Sequence, residues 1–424
     1  MALNAVRLPH LKTSAEKKTI KLFLPQKVII SLSQNIGAPC EPLVKKGDTV
    51  LTGQVIGDSN AFVSVPIHAS VSGTVTDETE ILSASGKLSK AIVITTDSLQ
   101  TMHKSVAPPN VTDRESFLKA VRDSGSVGLG GAGFPTHVKL SYDAKKTPVD
   151  TLIINGAECE PFITSDYREI MENTQNILDG ISLVMKYLDI PRTVVGIEKD
   201  KPKAIEKLRE LTASIPEISI LPLPLKYPQG AEKILIHQTT GKLIKEGELP
   251  LNAGCMVLNI STVSFLSEYI KTGVPLIKRR LTIDGDIVNE PKNVFVPVGI
   301  TLSELLKIAN TRVAPDRILF GGPMMGSCVY DMNTPVTKTT GALLLFGNSK
   351  IHKESACIRC GKCIHVCSMN LSPIELNIAF DRNNVELLKK LRVNLCMNCA
   401  ACSYICPAKR NVSEKNNMAK GLLR

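Results

Sequence analysis

Between residues 25 and 100 the chain alternates apolar and polar positions in short runs broken by turn residues. Val28-Ile29-Ile30, Lys46-Gly47-Asp48, Gly53-Gln54, Pro66-Ile67-His68 and Ser72-Gly73-Thr74 carry the pattern. A period of two with this much punctuation predicts a small β-sandwich or barrel. From 114 to 245 the period lengthens to that of amphipathic helices, interleaved with short apolar runs. Helices are predicted at 116–124, about 167–188, near 202–211 and 230–238, and strands at 151–155, 193–197 and 218–221. Such alternation with short connections predicts an open, mostly parallel α/β sheet. The pattern changes again in 270–310, where LTIDGDIVNEPKNVFVPVG reads as a hairpin-like strand pair and 303–309 as a helical turn. Gly321-Gly322-Pro323-Met324-Met325-Gly326 and Gly341 mark turns in a region expected to act as a connector. Between Cys367 and Cys396, Leu371, Ile374, Leu376, Ile378 and Ala379, then Val385, Leu387, Leu388 and Leu391, predict two short helices.

The fold class is therefore multidomain α/β, in segments 1–24 (a basic N-terminal tail), 25–105 (a β barrel-sandwich hybrid) and 114–268 (the open parallel α/β domain). Segment 270–345 is a small β-grasp-like module with its connector, 351–412 a helical cysteine-rich domain, and 413–424 a tail. Length and composition agree: 424 residues predict two to four domains, and 43% hydrophobic with 21% charged residues exclude a largely disordered chain. No run approaches the ~18 apolar residues that cross a bilayer, and MALNAVRLPHLKTSAEKK has no signal-peptide core, so a cytoplasmic location is expected. The net charge is +11, and residues 351–424 hold 12 basic against 5 acidic side chains. Trp is absent and aromatics are 4%, which leaves no stacking platform for single strands and argues against nucleic acid as a partner.

Eight of the twelve cysteines lie between 357 and 406, as Cys357-IR-Cys360-GK-Cys363-IHV-Cys367 and Cys396-MN-Cys399-AA-Cys402-SYI-Cys406-Pro407. Both runs have the C-x2-C-x2-C-x3-C spacing of two-cluster ferredoxins, in which three close thiolates bind three irons and the fourth cysteine serves the other cluster. The spacing assigns Cys357, Cys360, Cys363 and Cys406 to one [4Fe–4S] cluster, and Cys396, Cys399, Cys402 and Cys367 to a second. Zinc sites use two separated pairs, and disulfides are foreign to a cytosolic chain. Cys40, Cys255 and Cys328 read as buried structural thiols. Eight thiolates around two cores of about +2 each bring about −4, so the loaded protein is nearer +7 overall. The remainder suits an acidic electron-transfer partner or a membrane surface.

Two further segments invite chemistry. Gly128-Leu-Gly130-Gly131-Ala-Gly133-Phe134-Pro135 matches G-x-G-x-x-G, yet follows a helical pattern and is stopped by Pro135, so it fails as a dinucleotide fingerprint. Its bare backbone N–H groups and Lys139 suit a phosphate, or the loop is simply a flexible turn. Asn155-Gly-Ala-Glu158-Cys159-Glu160-Pro161 lies beyond the carboxyl end of a predicted strand, where open α/β sheets bind ligands. Asn155 can address a planar ring edge; Glu158 and Glu160 can accept ribose hydroxyls or merely bound a solvated turn.

The hybrid segment PLVKKGDTVLTGQVIG…VPIHASVSGTV resembles biotinyl/lipoyl domains, with Pro66-Ile-His-Ala-Ser where those carry a modified lysine, so a barrel without a swinging arm is expected and His68 reads as a packing residue. GLGGAGFPTHVKL, INGAECEPFITSD, YPQGAEKILI and the two cysteine runs together resemble the RnfC family of Rnf electron-transport complexes, over nearly the whole chain. They also resemble, more distantly, the flavin- and NADH-binding subunit of respiratory complex I. The resemblance implies that Gly128, Gly130, Gly131, Gly133, Phe134 and Lys139 cradle FMN. It implies that Asn155, Glu158 and Glu160 meet flavin and NAD(H), with the two glutamates at the reaction site. Tyr227, Gly230 and Glu232 match a third element, and Asn259 and Thr262 a flavin-contacting turn. Leu129, Ala157 and Ala231 replace charged residues of the complex I pattern, which weakens the case for NADH binding in that manner. The implied activity is electron exchange between ferredoxin and NAD, coupled to ion translocation. The chain would be peripheral at the cytoplasmic face of the membrane, with membrane-embedded Rnf subunits supplying the ion path and ferredoxin as an indirect donor. The alternatives are a non-catalytic iron–sulfur relay and docking subunit, or a soluble flavo-iron–sulfur protein of the cobalamin-reductase type.

Overall fold

The computed structural model describes residues 4–21, 24–83, 86–347, 349–350 and 352–423. Residues 1–3, 22–23, 351 and 424, which fall in the expected tails and at the start of the cysteine-rich segment, lie outside the described residues. The N-terminal β domain pairs two small sheets. One runs Lys27–Ser31, Leu88–Thr96, Gly73–Leu82, Thr49–Val50, and the other Glu41–Pro42, Val55–Asp58, Ile67–His68. Alternation does the sorting: Val28, Ile30, Ile92 and Ile94 enter the core, while Ile29 packs on Ile81 and Ala91 outside it. His68 is buried, and burial depresses its pKa to about 3, so it is a neutral packing residue.

The α/β domain has a four-stranded, all-parallel sheet ordered Ile218–Leu223, Thr193–Glu198, Thr151–Gly156, Cys255–Asn259. The chain lays down three strands in one direction and then returns beside the first. That reversal puts a topological switch point between Thr151–Gly156 and Cys255–Asn259, where ligands bind in open α/β sheets. Helices Arg114–Asp123, Ser165–Leu188, Pro202–Thr212, Glu232–Thr240 and Ile260–Thr272 surround the sheet and bury their apolar stripes, Ile170, Ile177, Ile181 and Val184 among them.

The region expected to connect is instead part of a sheet. Strands order as Ile20–Lys21, Lys292–Pro297, Lys278–Asp284, Ala342–Phe346, Arg317–Phe320, Ser327–Cys328, beside helix Leu302–Ala309. The predicted hairpin is present, antiparallel, but Ala342–Phe346 pairs parallel with Lys278–Asp284 at the centre. Its unbroken apolar run, ALLLF, is what a strand covered on both faces requires.

Neither terminal segment behaves as a tail. Residue Val6 pairs with Tyr227, Ser14 is fully buried against Thr164, and Ile20–Lys21 extends the six-stranded sheet. At the other end, helix Val412–Gly421 packs on Pro373–Asp381, with Asn377 Nδ2 donating to Asn416 Oδ1 at 2.7 Å and to the Val412 carbonyl at 3.0 Å. The two helices expected between the cysteine runs are Pro373–Asp381 and Val385–Lys390. Among the described residues no helix is long and apolar enough to cross a membrane.

Candidate functional site

At the switch point Asn155 and Asn259 stand in register at the ends of neighbouring strands. Asn259 Oδ1 accepts the Ser261 and Thr262 N–H groups at 2.9 and 3.3 Å, capping helix Ile260–Thr272, and its Nδ2 donates to Asp166 Oδ2 at 2.7 Å. Asn155 Nδ2 donates to the Gly230 carbonyl at 2.8 Å, while its Oδ1 accepts from Ala157 N–H at 3.1 Å. A Cβ on Gly230 would lie 2.8 Å from the Ala157 carbonyl, so the strand-end turn and the 227–232 turn touch through backbone alone.

The glycine loop hangs over this point. Its neck closes through Gly128 N–H to the Phe134 carbonyl, 2.9 Å, and a Val127–Pro135 bridge. Three domains hold it: the Leu129 N–H donates to Thr262 Oγ1 at 3.0 Å, Arg279 Nη2 to the Leu129 carbonyl at 3.1 Å, and Ile36 N–H to the Gly133 carbonyl at 2.9 Å. Leu129 itself is buried among Val65, Val127 and Leu276, pointing away from the tip. Gly130, Gly131 and Ala132 form that tip, with Gly130 and Gly131 exposed. A Cβ on Gly130 would sit 3.3 Å from Asn259 Nδ2, whereas one on Gly131, at φ +103°, would meet nothing within 4 Å. At Gly130 and Gly131 the tip is thus a bare backbone surface beside Asn259. Lys139 binds Glu232, which opens the helix after the 227–232 turn, at 2.6 Å. Gly130, Asn259 and Thr262 are therefore brought together, as are Asn155 with Gly230 and Lys139 with Glu232, and the Thr262 hydroxyl is spent on the loop.

Glu158 and Glu160 do not project into the open space. Glu158 is 7% exposed; its carboxylate accepts the Asp166 and Tyr167 N–H groups at 2.7 and 3.3 Å and the Ser165 hydroxyl at 3.3 Å, at the start of helix Ser165–Leu188. Burial, with Asp166 adding to it and Lys12 opposing, lifts its pKa to about 7. Glu160 accepts the Met324 and Met325 N–H groups at 3.0 and 2.9 Å, so it clamps the 321–326 turn; burial raises its pKa too. Between them the Lys12 ammonium donates to the carbonyls of Glu158, Glu160 and Ile163 at 2.8, 2.7 and 2.5 Å. Sequence reasoning misses Lys12, one lysine in a basic stretch with no motif around it. Asp166 carries a signal, since it ends the segment INGAECEPFITSD.

Flavin and cluster fit can be tested on the residues themselves. A ring or phosphate needs backbone approach and polar partners. The loop tip supplies the first, and in the 227–232 turn Gln229, fully buried with both amide atoms unpartnered among the described residues, is a standing demand for the second. In the cysteine-rich domain, Cys367, Cys396, Cys399 and Cys402 line a single cavity with Met369, Leu371 and Pro373. Cys357 and Cys360 are exposed, Cys363 and Cys406 half-buried. The Ser355 N–H donates to the Ala408 carbonyl, Arg410 Nη1 to the Ser355 carbonyl and the Asn411 N–H to Glu354 Oε1, which lays the approach to Cys357 beside the chain leaving Cys406. Among the described residues no three His, Cys, Asp or Glu donors converge as a single ion requires; a cubane, taking one thiolate per iron, makes a different demand. The two domains meet in a buried cluster of Val6, Tyr227 and Ala401, joined by Cys159, Met324, Val366, Cys399 and Ile405.

Known proteins share these features. Residues 121–268 match the family model described as the Nuo51 FMN-binding domain, and residues 3–99 that of the RnfC barrel sandwich hybrid domain. The chain is 40% identical over 365 residues to the C component of the Na(+)-translocating ferredoxin:NAD(+) oxidoreductase complex of Acetobacterium woodii, covering 85% of this chain and 82% of the relative. It is also 40% identical, over 87% of this chain and 81% of the relative, to the proton-translocating counterpart of Clostridium ljungdahlii. Identity to the C component of the ion-translocating oxidoreductase complex of Rhodobacter capsulatus is 35%, over 89% of this chain and 74% of the relative. Among solved structures, the air-oxidized state of an NAD+-reducing [NiFe]-hydrogenase gives a TM-score of 0.51 at 16% identity, covering 72% of this chain and 61% of that one, a likeness of fold alone. Identity sustained across more than four fifths of the sequence, with matching domains in matching order, means that the chain belongs to the RnfC family of ion-translocating oxidoreductase complexes.

Proposed function

We propose that this chain is the peripheral electron-transfer subunit of an ion-translocating ferredoxin:NAD oxidoreductase, exchanging hydride with NAD(H) at FMN and relaying single electrons through two [4Fe–4S] clusters. A bound flavin would supply the exchange between two-electron hydride chemistry and the one-electron chemistry of cubanes. The chain's own residues do the holding. The loop tip at Gly130 and Gly131 offers backbone N–H groups to phosphate, Gly128, Gly133 and Phe134 close the neck that holds it, and Lys139 and Glu232 flank it as a charge pair. Asn155 and Gly230 present an amide edge, and Asn259 and Thr262 set the loop's height above the sheet.

Glu158 and Glu160 act as positioning groups that fix the strand-end loop. Cys357, Cys360, Cys363 and Cys406 would carry one cubane, and Cys396, Cys399, Cys402 and Cys367 the other. Other Rnf subunits supply the membrane attachment and ion path, and ferredoxin delivers electrons through them. The two relatives at 40% identity are named for different ions, which supports a coupling ion set by those partners.

The observation that carries this reading is the side-chain-free loop tip at the sheet's switch point, joined through the Tyr227 turn to a cysteine-lined cavity. Anaerobically reconstituted protein should hold about one FMN and about eight irons. Protein that keeps its irons but retains no flavin would overturn it in favour of the relay-and-docking reading. That second reading draws on one observation, that Lys139 is already neutralised by Glu232. Lys139→Ala separates the two, since it should weaken flavin retention only if the loop is a flavin site.

A further inference from the structure

Tyr227 matches a flavin-site element by position, but its surroundings lie toward the cysteine-rich domain. Its backbone is pinned by exchanged hydrogen bonds with Val6, 2.8 and 3.1 Å, and its side chain is 2% exposed. The ring packs in the cluster that contains Ala401, Cys399, Val366 and Ile405. Its hydroxyl has no partner among the described residues, although a buried phenol normally finds one. An orphaned buried donor is costly, so a partner is expected once the protein is loaded.

Of the groups that carry or can carry negative charge, Cys159 and Cys399 pack in the same buried cluster as the ring, and Glu160 lies near it. Glu160 already uses both oxygens on the Met324 and Met325 N–H groups. Cys159 is a half-buried thiol whose pKa is pushed up to about 12, chiefly by desolvation, so it stays neutral. Cys399 is one of the four thiols around the cavity and must be a thiolate when it binds iron. It is the one of the three that becomes an anion only when the protein is loaded.

We propose that Tyr227 is a hydrogen-bond donor to the Cys399 sulfur of the inner thiol set, tuning the reduction potential of the cubane that set carries. The inference rests on the cluster reading above. Cys399 of the inner set (Cys367, Cys396, Cys399 and Cys402) packs in the same cluster as Cys159 of the strand-end loop, whereas Cys357 and Cys360 of the outer set face solvent. Hydrogen bonds to cluster sulfurs favour the more negative, reduced state and raise the potential.

The test uses the reconstituted full chain with Tyr227→Phe and an EPR-monitored redox titration. The outer set's signal is identified by its loss in Cys360→Ser. Losing one charge-assisted bond should move the reduced-to-oxidised ratio of the inner cluster by about three- to tenfold at fixed potential, the latter being ~59 mV downward for one electron. The outer signal should stay in place and iron content remain about eight. An unmoved inner signal, or an equal shift of both signals, overturns the proposal. If Tyr227→Phe fails to assemble, 3-fluorotyrosine at 227, a stronger donor of nearly the same shape, should shift the inner potential upward; no shift overturns it. Failure of the unsubstituted protein to bind about eight irons would instead sink the cluster reading itself.

Discussion

Glu158→Gln isolates what the buried carboxylate does. The side chain sits on the first turn of helix Ser165–Leu188 with Asp166 and Tyr167 N–H groups as donors, and burial raises its pKa from the ordinary 4.5 to about 7. Native protein therefore holds this proton more tightly than the opened chain does. The group's stabilisation is complete below about pH 4.5 and is lost as pH rises through 7. At 1.36 kcal/mol for each tenfold change in proton affinity, the loss amounts to about 3 kcal/mol, or roughly 300-fold in the opening equilibrium. Glutamine keeps the shape and carries no ionisable proton. Hydrogen exchange of the Asp166 and Tyr167 amides, corrected for intrinsic rates, measures that opening directly. Wild-type protection should fall between pH 5 and 8, while the variant's stays nearly level and exceeds wild type at pH 8. Equal pH slopes in the two proteins, or a variant less protected at pH 8, would refute the reasoning.

Three other outcomes follow from the same geometry. Lys12→Met strands the carbonyls of Glu158, Glu160 and Ile163, so it should loosen the 158–163 loop by roughly 1–3 kcal/mol, read as faster exchange there. Gly131→Val places a side chain in open space at φ +103°; with about 1–3 kcal/mol of backbone strain the fold should survive, judged by circular dichroism, while FMN retention is lost. Cys402→Ser should lower bound iron from about eight to about four, with the outer cluster's EPR signal kept.

The cysteine runs are legible because thiolates on one cubane must come from fixed short spacings, a local demand. The α/β alternation is equally plain, since each helix and strand there buries one stripe: the strand predicted at 151–155 is Thr151–Gly156 and the helix from about 167 is Ser165–Leu188. What stays hidden depends on distant partners. Lys12 looks like any surface lysine until three carbonyls 146 to 151 residues away converge on it. Ala342–Phe346 reads as a bare apolar run, and only its pairing with Lys278–Asp284 makes it a central strand. Glu158 and Glu160 carry the acidic character of a reaction site, yet backbone N–H groups claim both; no sequence spacing distinguishes a carboxylate that caps from one that reacts. Tyr227 fits a flavin-site motif by position, while its ring packs with Ala401 and Cys399.

The central claim is that the loop over the sheet's switch point and the cysteine cavity behind it form one electron-transfer unit. Anaerobic addition of NADH to the reconstituted, FMN-loaded chain tests it most directly, with cluster reduction followed by EPR. The account predicts reduced [4Fe–4S] signals in the unsubstituted protein and none in Gly131→Val carrying the same iron. Signals of equal size in both proteins, or none in the unsubstituted protein with flavin and iron fully bound, would contradict it.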